Sequence, residues 1–155
     1  MLSWANECCV CCLIRARYEE VPVSYSGQMI QANPKETMFD AAKLEACIRA
    51  CFDCAQACTA CADACLGEQD TGLLLRCIRL DLDCADLCLA TGKVLSRQAA
   101  AEPTLARGLV HALAEACRLC GDECARHGEH GMEHCRVCAE ACRRCEEACR
   151  ALIGA

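Results

Sequence analysis

Six cysteines, Cys47, Cys51, Cys54, Cys58, Cys61 and Cys65, recur at alternating steps of four and three residues. In an α-helix, at roughly 100° per residue, that spacing gathers all the sulfurs into a wedge of about 80°, with neighbours about 5–6 Å apart at Cβ. The seam returns in Cys135, Cys138, Cys142, Cys145 and Cys149, and in shorter form in Cys117, Cys120 and Cys124. Cys77, Cys84 and Cys88 share a further wedge, and its missing step is filled by Asp81. Thiolates are soft ligands that select Cu(I), Zn(II) or iron–sulfur clusters. The chain thus offers seventeen sulfurs along stripes that leucine normally occupies.

Blander readings fit these stripes less well. Buried cysteine often behaves as a small hydrophobe, but Leu, Ile or Val would bury more apolar area at each site, at about 25 cal/mol per Å². A ladder of disulfides suits neither one-turn spacing nor a reducing compartment. Among the metals, charge discriminates. Buried thiolates need compensating cations, because desolvation costs of order several kcal/mol per ion. Zn(II) held by four thiolates leaves each site doubly negative. Cu(I) shared by bridging thiolates, at about one ion per thiol, neutralises the core, and sulfur pairs from adjacent turns suit its low coordination number. That gives an expected capacity of order seventeen Cu(I) ions. Ferredoxin runs place two-residue gaps in loops, whereas gaps of two and three alternate here. A Zn(II)/Cd(II) thiolate buffer and a thiol redox protein remain as alternatives, the latter requiring an exposed CxxC of low pKa.

Holding such seams in register takes long helices. A chain of 155 residues has the size of one bundle of four helices with short connections. Asn33, Pro34 and Glu36 supply an N-cap type, proline at the first helical position and glutamate behind it, which predicts a first helix from there to about Leu66, stopped by Gly67. Asp70 or Thr71 caps a second helix over 72–97, in whose interior Gly92 costs about 1 kcal/mol without an evident reason. Glu102 and Pro103 open a third, ended by Gly128, where Ala106, Val110 and Leu113 continue the thiol stripe as aliphatic residues. The fourth spans about Met132 to Leu152, with Glu140, Arg143, Glu147 and Arg150 off the seam as a solvated face.

The expected fold is therefore all-α, an antiparallel four-helix bundle with a cysteine-lined core over 33–155, behind an N-terminal extension of 1–32. That extension reads as strand-like or irregular through Val21, Val23 and Tyr25. Its Cys8, Cys9, Cys11 and Cys12 belong either to an untidy extension, even to sequence upstream of the true start, or to a second soft-metal clip.

Antiparallel order also sorts residues by depth. One end, the top, collects Cys65, Cys77, Cys124 and Cys135 with His127, His130 and His134. The bottom sets Cys47, Cys51, Cys145 and Cys149 against Thr91, Leu95, Ala106 and Val110. The three top histidines are either solvated or a transient Cu(I) relay at an entrance, since imidazole also binds copper. Asp81 either faces the top cavity or is rotated outward, and polar lining is favoured over ligation. Met132 either offers a thioether or packs, and His111 falls on the surface.

A net charge of −6 with only five aromatic residues gives neither the basic patch nor the stacking platform of a nucleic-acid binder. The longest uncharged run, 21–34, is too short and too polar for a membrane span. Met1 to Leu13 carries no basic leader and no paired arginines, so the expected compartment is the cytosol, where thiols stay reduced. Storage and detoxification of Cu(I), without catalytic turnover, is the function these readings favour.

Residues 33 to 153, through the paired seams Cys47 to Cys65 and Cys135 to Cys149 completed by Cys77, Cys84, Cys88, Cys117, Cys120 and Cys124, resemble the cytosolic copper storage proteins. The resemblance implies a bundle lined with Cu(I)-binding cysteines, a homotetramer, and copper entering at a histidine-bearing end, here His127, His130 and His134. Exported relatives carry a Tat signal, so its lack aligns this chain with the cytosolic branch. A copper chaperone or a small-molecule chelator is the partner implied for delivery. Cys8, Cys9, Cys11 and Cys12 depart from the family pattern.

Overall fold

The computed structural model describes residues 24–154. Cys8, Cys9, Cys11 and Cys12, with Val21 and Val23, lie outside those residues. Five α-helices follow one another: α1 (Tyr25–Gln31), α2 (Ala41–Leu66), α3 (Leu75–Leu95, entered through a 3₁₀ turn Thr71–Leu74), α4 (Pro103–Glu129) and α5 (Glu133–Ile153). The described residues contain no strand.

The first two departures from expectation lie ahead of the bundle. Tyr25 opens a helix rather than continuing a strand, because the Ser24 hydroxyl accepts from the Gly27 N–H and caps it. Alternation over three residues is a weaker signal than that cap. The Asn33–Pro34 signal is also real, but a turn uses it. Asn33 Oδ1 accepts from the Lys35 N–H at 3.0 Å, and the chain stays non-helical until Asp40. There the Asp40 carboxylate accepts from the Lys43 N–H at 2.9 Å and starts α2 seven residues later than Pro34 predicts. The delay lets Phe39 tuck into the bottom of the core, with the Arg107 guanidinium 5.4 Å from its ring centroid, a contact of about 0.5–1 kcal/mol.

From α2 onward the four long helices form a closed ring in which α2 packs on α3, α3 on α4, α4 on α5 and α5 back on α2. Short connections make each neighbour antiparallel. The diagonal pairs meet through sulfur: Cys58 of α2 lies 3.9 Å from Cys120 of α4, and Cys77 of α3 lies 4.0 Å from Cys135 of α5. Glu102 caps α4 by accepting from the Thr104 N–H at 3.1 Å, with Pro103 just inside, as the sequence predicts. Gly67 ends α2, whereas Gly128 lies inside α4, which continues to Glu129.

Gly92 now has its reason. A Cβ there would lie 3.2 Å from Cys51 Cβ and from the Phe52 ring, so its absence sets how closely α3 approaches α2. Gly121 does the same for α4 against α5, opposite Cys142 Cβ at 3.2 Å.

Aliphatic side chains close the bottom of the ring. Leu44, Leu95, Val110 and Leu113 are fully buried there, beside Phe39, Ala106 and Leu152. At the top, Leu74 from the 3₁₀ turn is also fully buried, a second aliphatic anchor absent from the sequence reading. Glu140, Arg143, Glu147 and Arg150 are exposed as expected, and Arg143 bridges helices to Asp122 at 3.3 Å. Such exposed pairs each contribute about 0–1 kcal/mol. Among the described residues no helix is long and apolar enough to cross a membrane.

Candidate metal centre

The heptad spacing does what helical geometry requires of it. All seventeen cysteines of the four long helices are buried and free, and their sulfurs form one continuous column. On the floor, Cys47 meets Cys149 at 3.8 Å. In the middle, Cys58 lies 3.8 Å from Cys54, 3.6 Å from Cys142 and 3.7 Å from Cys138, while Cys84 meets Cys117 at 3.7 Å. Near the top, Cys61 meets Cys135 at 3.8 Å and Cys77 meets Cys124 at 3.6 Å.

These contacts resolve into groups of four donors whose atoms all lie within 4.8 Å of one another. Among them are three made of sulfur alone: Cys54, Cys58, Cys84 and Cys142; Cys54, Cys84, Cys88 and Cys117; and Cys58, Cys120, Cys138 and Cys142. Two nearer the top are mixed, Cys61 with Asp81, Cys124 and Cys138, and Cys61 with Cys65, His134 and Cys135. Cys54, Cys58, Cys61, Cys84, Cys138 and Cys142 each belong to more than one group. Isolated tetrahedral sites would keep their ligands to themselves. Shared sulfurs are the arrangement that bridging thiolates need.

Asp81 faces inward, not outward, and lines the core. It is fully buried, and its Oδ1 accepts from the thiols of Cys120 at 3.0 Å, Cys124 at 3.3 Å and Cys138 at 3.3 Å. Burial pushes its carboxyl up to about 8, against the lowering effect of the bond from the Cys120 thiol. Burial likewise pushes Cys65 above the ordinary thiol range, with Cys77 and Cys135 adding to it. Cys135 is drawn the other way, because Cys124, Cys61 and Cys77 donate to it. A soft cation entering this column displaces protons from sulfur, so its binding is tied to pH.

The three histidines of the top part company. His134 turns inward, its Nδ1 lying 3.4 Å from Cys135, 3.6 Å from Cys61 and 4.0 Å from Cys65. His127 is held by Glu123 at 3.3 Å, and His130 is exposed. Met132 is partly buried against the core. Two carboxylates escaped the sequence reading. Glu123 is buried and bound by Arg76 at 2.9 Å, by Arg126 and by His127. Its spacing to Arg126 and His127 was readable, but Arg76 comes from another helix. Glu68 meets His134 Nε2 at 3.2 Å across 66 residues of sequence, and no local pattern announces it.

Residues 40–154 match the family described as copper storage protein. A structure of the Streptomyces lividans copper storage protein Ccsp loaded with 10 copper equivalents is 48% identical, with a TM-score of 0.81, over 83% of this chain and 98% of that one. A second Streptomyces lividans structure, of copper loading to a cytosolic copper storage protein with five coppers, is 54% identical over 74% of this chain and 94% of that one, with a TM-score of 0.71. A Cu(I)-bound copper storage protein, BsCsp3, is 40% identical over 71% and 97%, with a TM-score of 0.62. Comparison with curated proteins gives no match.

Proposed function

The chain belongs to the copper storage protein family, and on that premise we propose that it stores Cu(I), many ions at a time, on the thiolates inside its bundle. The observation that carries this reading is the sharing of sulfurs between donor groups. A monovalent soft cation on bridging thiolates cancels their charge ion for ion, where a divalent one in separate four-sulfur sites leaves the core anionic. Cys47, Cys51, Cys54, Cys58, Cys61, Cys65, Cys77, Cys84, Cys88, Cys117, Cys120, Cys124, Cys135, Cys138, Cys142, Cys145 and Cys149 are the ligands in this reading. Asp81 and His134 complete donor groups toward the top. Copper is cargo, and the chain performs no turnover on it.

The same reading places the protein in the cytosol, as a homotetramer that receives copper from a chaperone or a small-molecule chelate. Its supports are the cytosolic relative and the exposed Leu66, Leu73 and Leu75 near the top, an apolar surface suited to association. Anaerobic titration of the full chain with Cu(I) against a competing chelator tests the storage reading. Saturation of order seventeen ions is expected from one-to-one neutralisation. Saturation at a handful, or no competition with the chelator, overturns it.

A further inference from the structure

We propose that Glu68 is a positioning residue for copper uptake: by accepting the Nε2–H of His134, it keeps Nδ1 unprotonated and turned toward Cys61, Cys65 and Cys135. The inference rests on the Cu(I)-storage reading and adds to it a residue outside the thiol core.

A neutral imidazole has one N–H and one lone pair, and the partner of one nitrogen decides the role of the other. His134 presents its two nitrogens to opposite worlds. Nε2 meets the Glu68 carboxylate at 3.2 Å, while Nδ1 faces three sulfurs at 3.4 to 4.0 Å. A carboxylate accepts and cannot donate when ionised, so the proton belongs on Nε2 and the lone pair on Nδ1. Glu68 is itself anchored to the turn that presents one of those thiols, since its backbone N–H donates to the Cys65 carbonyl at 3.3 Å. Ligating histidines commonly donate their second N–H to a carboxylate in this way, which fixes ring orientation as well as tautomer. His127 has a carboxylate partner too, but Glu123 is shared with Arg76 and Arg126. Among the described residues no thiol hydrogen-bonds His127.

Long-range proton–nitrogen correlation spectra of the metal-free, nitrogen-15-labelled protein read the tautomer directly. The Nε2–H form is expected for His134 in the native chain, and a mixture of tautomers in Glu68→Leu. Loading from a Cu(I)–bicinchoninate complex is expected to slow about tenfold in Glu68→Leu. Glu68→Gln, whose Oε1 still accepts, is expected to restore the native tautomer and most of the rate. An unchanged tautomer in Glu68→Leu, or a changed tautomer with native loading, overturns the assignment. Failure of the storage reading shows separately, as a native chain that takes up only a handful of ions.

Discussion

The two ends of the bundle are built from the same four helices and the same heptads, yet they solve opposite problems. At the bottom the seam passes from sulfur to Leu44, Leu95, Val110 and Leu113, all fully buried, and the ring is closed by packing alone. At the top, beside the buried Leu74, it passes to polar pairs, His134 with Glu68 and the buried Glu123 with Arg76, Arg126 and His127. A tube whose two ends were alike would have no direction. On the storage reading one end contributes stability and the other is the proposed point of access, and the difference lies in a few side chains rather than in the backbone.

If that division holds, substitutions at the two ends have separable effects. The largest is expected for Leu113→Ala, which leaves a void in the plug and lowers the stability of the metal-free bundle by about 2–5 kcal/mol in chemical denaturation, with the rate of Cu(I) loading as in the native chain. His134→Ala is expected to reverse the pattern. Loading slows about tenfold, equivalent to about 1.4 kcal/mol, with stability changed by less than about 1 kcal/mol. His127→Ala slows loading less than His134→Ala, because Glu123 already holds His127 away from the thiols. Arg143→Ala, which removes only the exposed link to Asp122, shifts stability by no more than about 0.5 kcal/mol and leaves loading alone. Accelerated loading in Leu113→Ala would show that copper also reaches the core from below and would break the contrast.

How much of this was legible in the sequence varies with the range of the interaction. The seams were, because helical phase alone sends Cys47 through Cys65 to one face. The start of α4 was, because Glu102 and Pro103 act within one turn. The start of α2 was not, since Asn33 and Pro34 carry an N-cap signature that the burial of Phe39 redirects into a turn. Asp81 was placed in the seam by phase, but three thiols from α4 and α5 decide what it does there. Gly92 looked like a flaw until Cys51 and Phe52 appeared beside it. Glu68 and His134 meet only after the chain has gone up and down the bundle.

Sharing of sulfurs between donor groups also makes the core a network with nodes of unequal rank. Cys58 is a hub, touching Cys54 on its own helix, Cys120 across the ring, and Cys138 and Cys142 on α5. Cys47, on the floor, has fewer partners, meeting Cys149 at 3.8 Å and its own helix neighbour Cys51. Between them Cys145 faces Cys117, Cys149, Cys51 and Cys54, so the sulfur contacts run unbroken from the top of the column to its floor. Serine at Cys58 removes contacts to four sulfurs in the middle of the column, whereas serine at Cys47 removes contacts to two at its edge. On the storage reading, position in the network, rather than the number of thiols removed, is then expected to set how far a substitution disturbs the filling of the core.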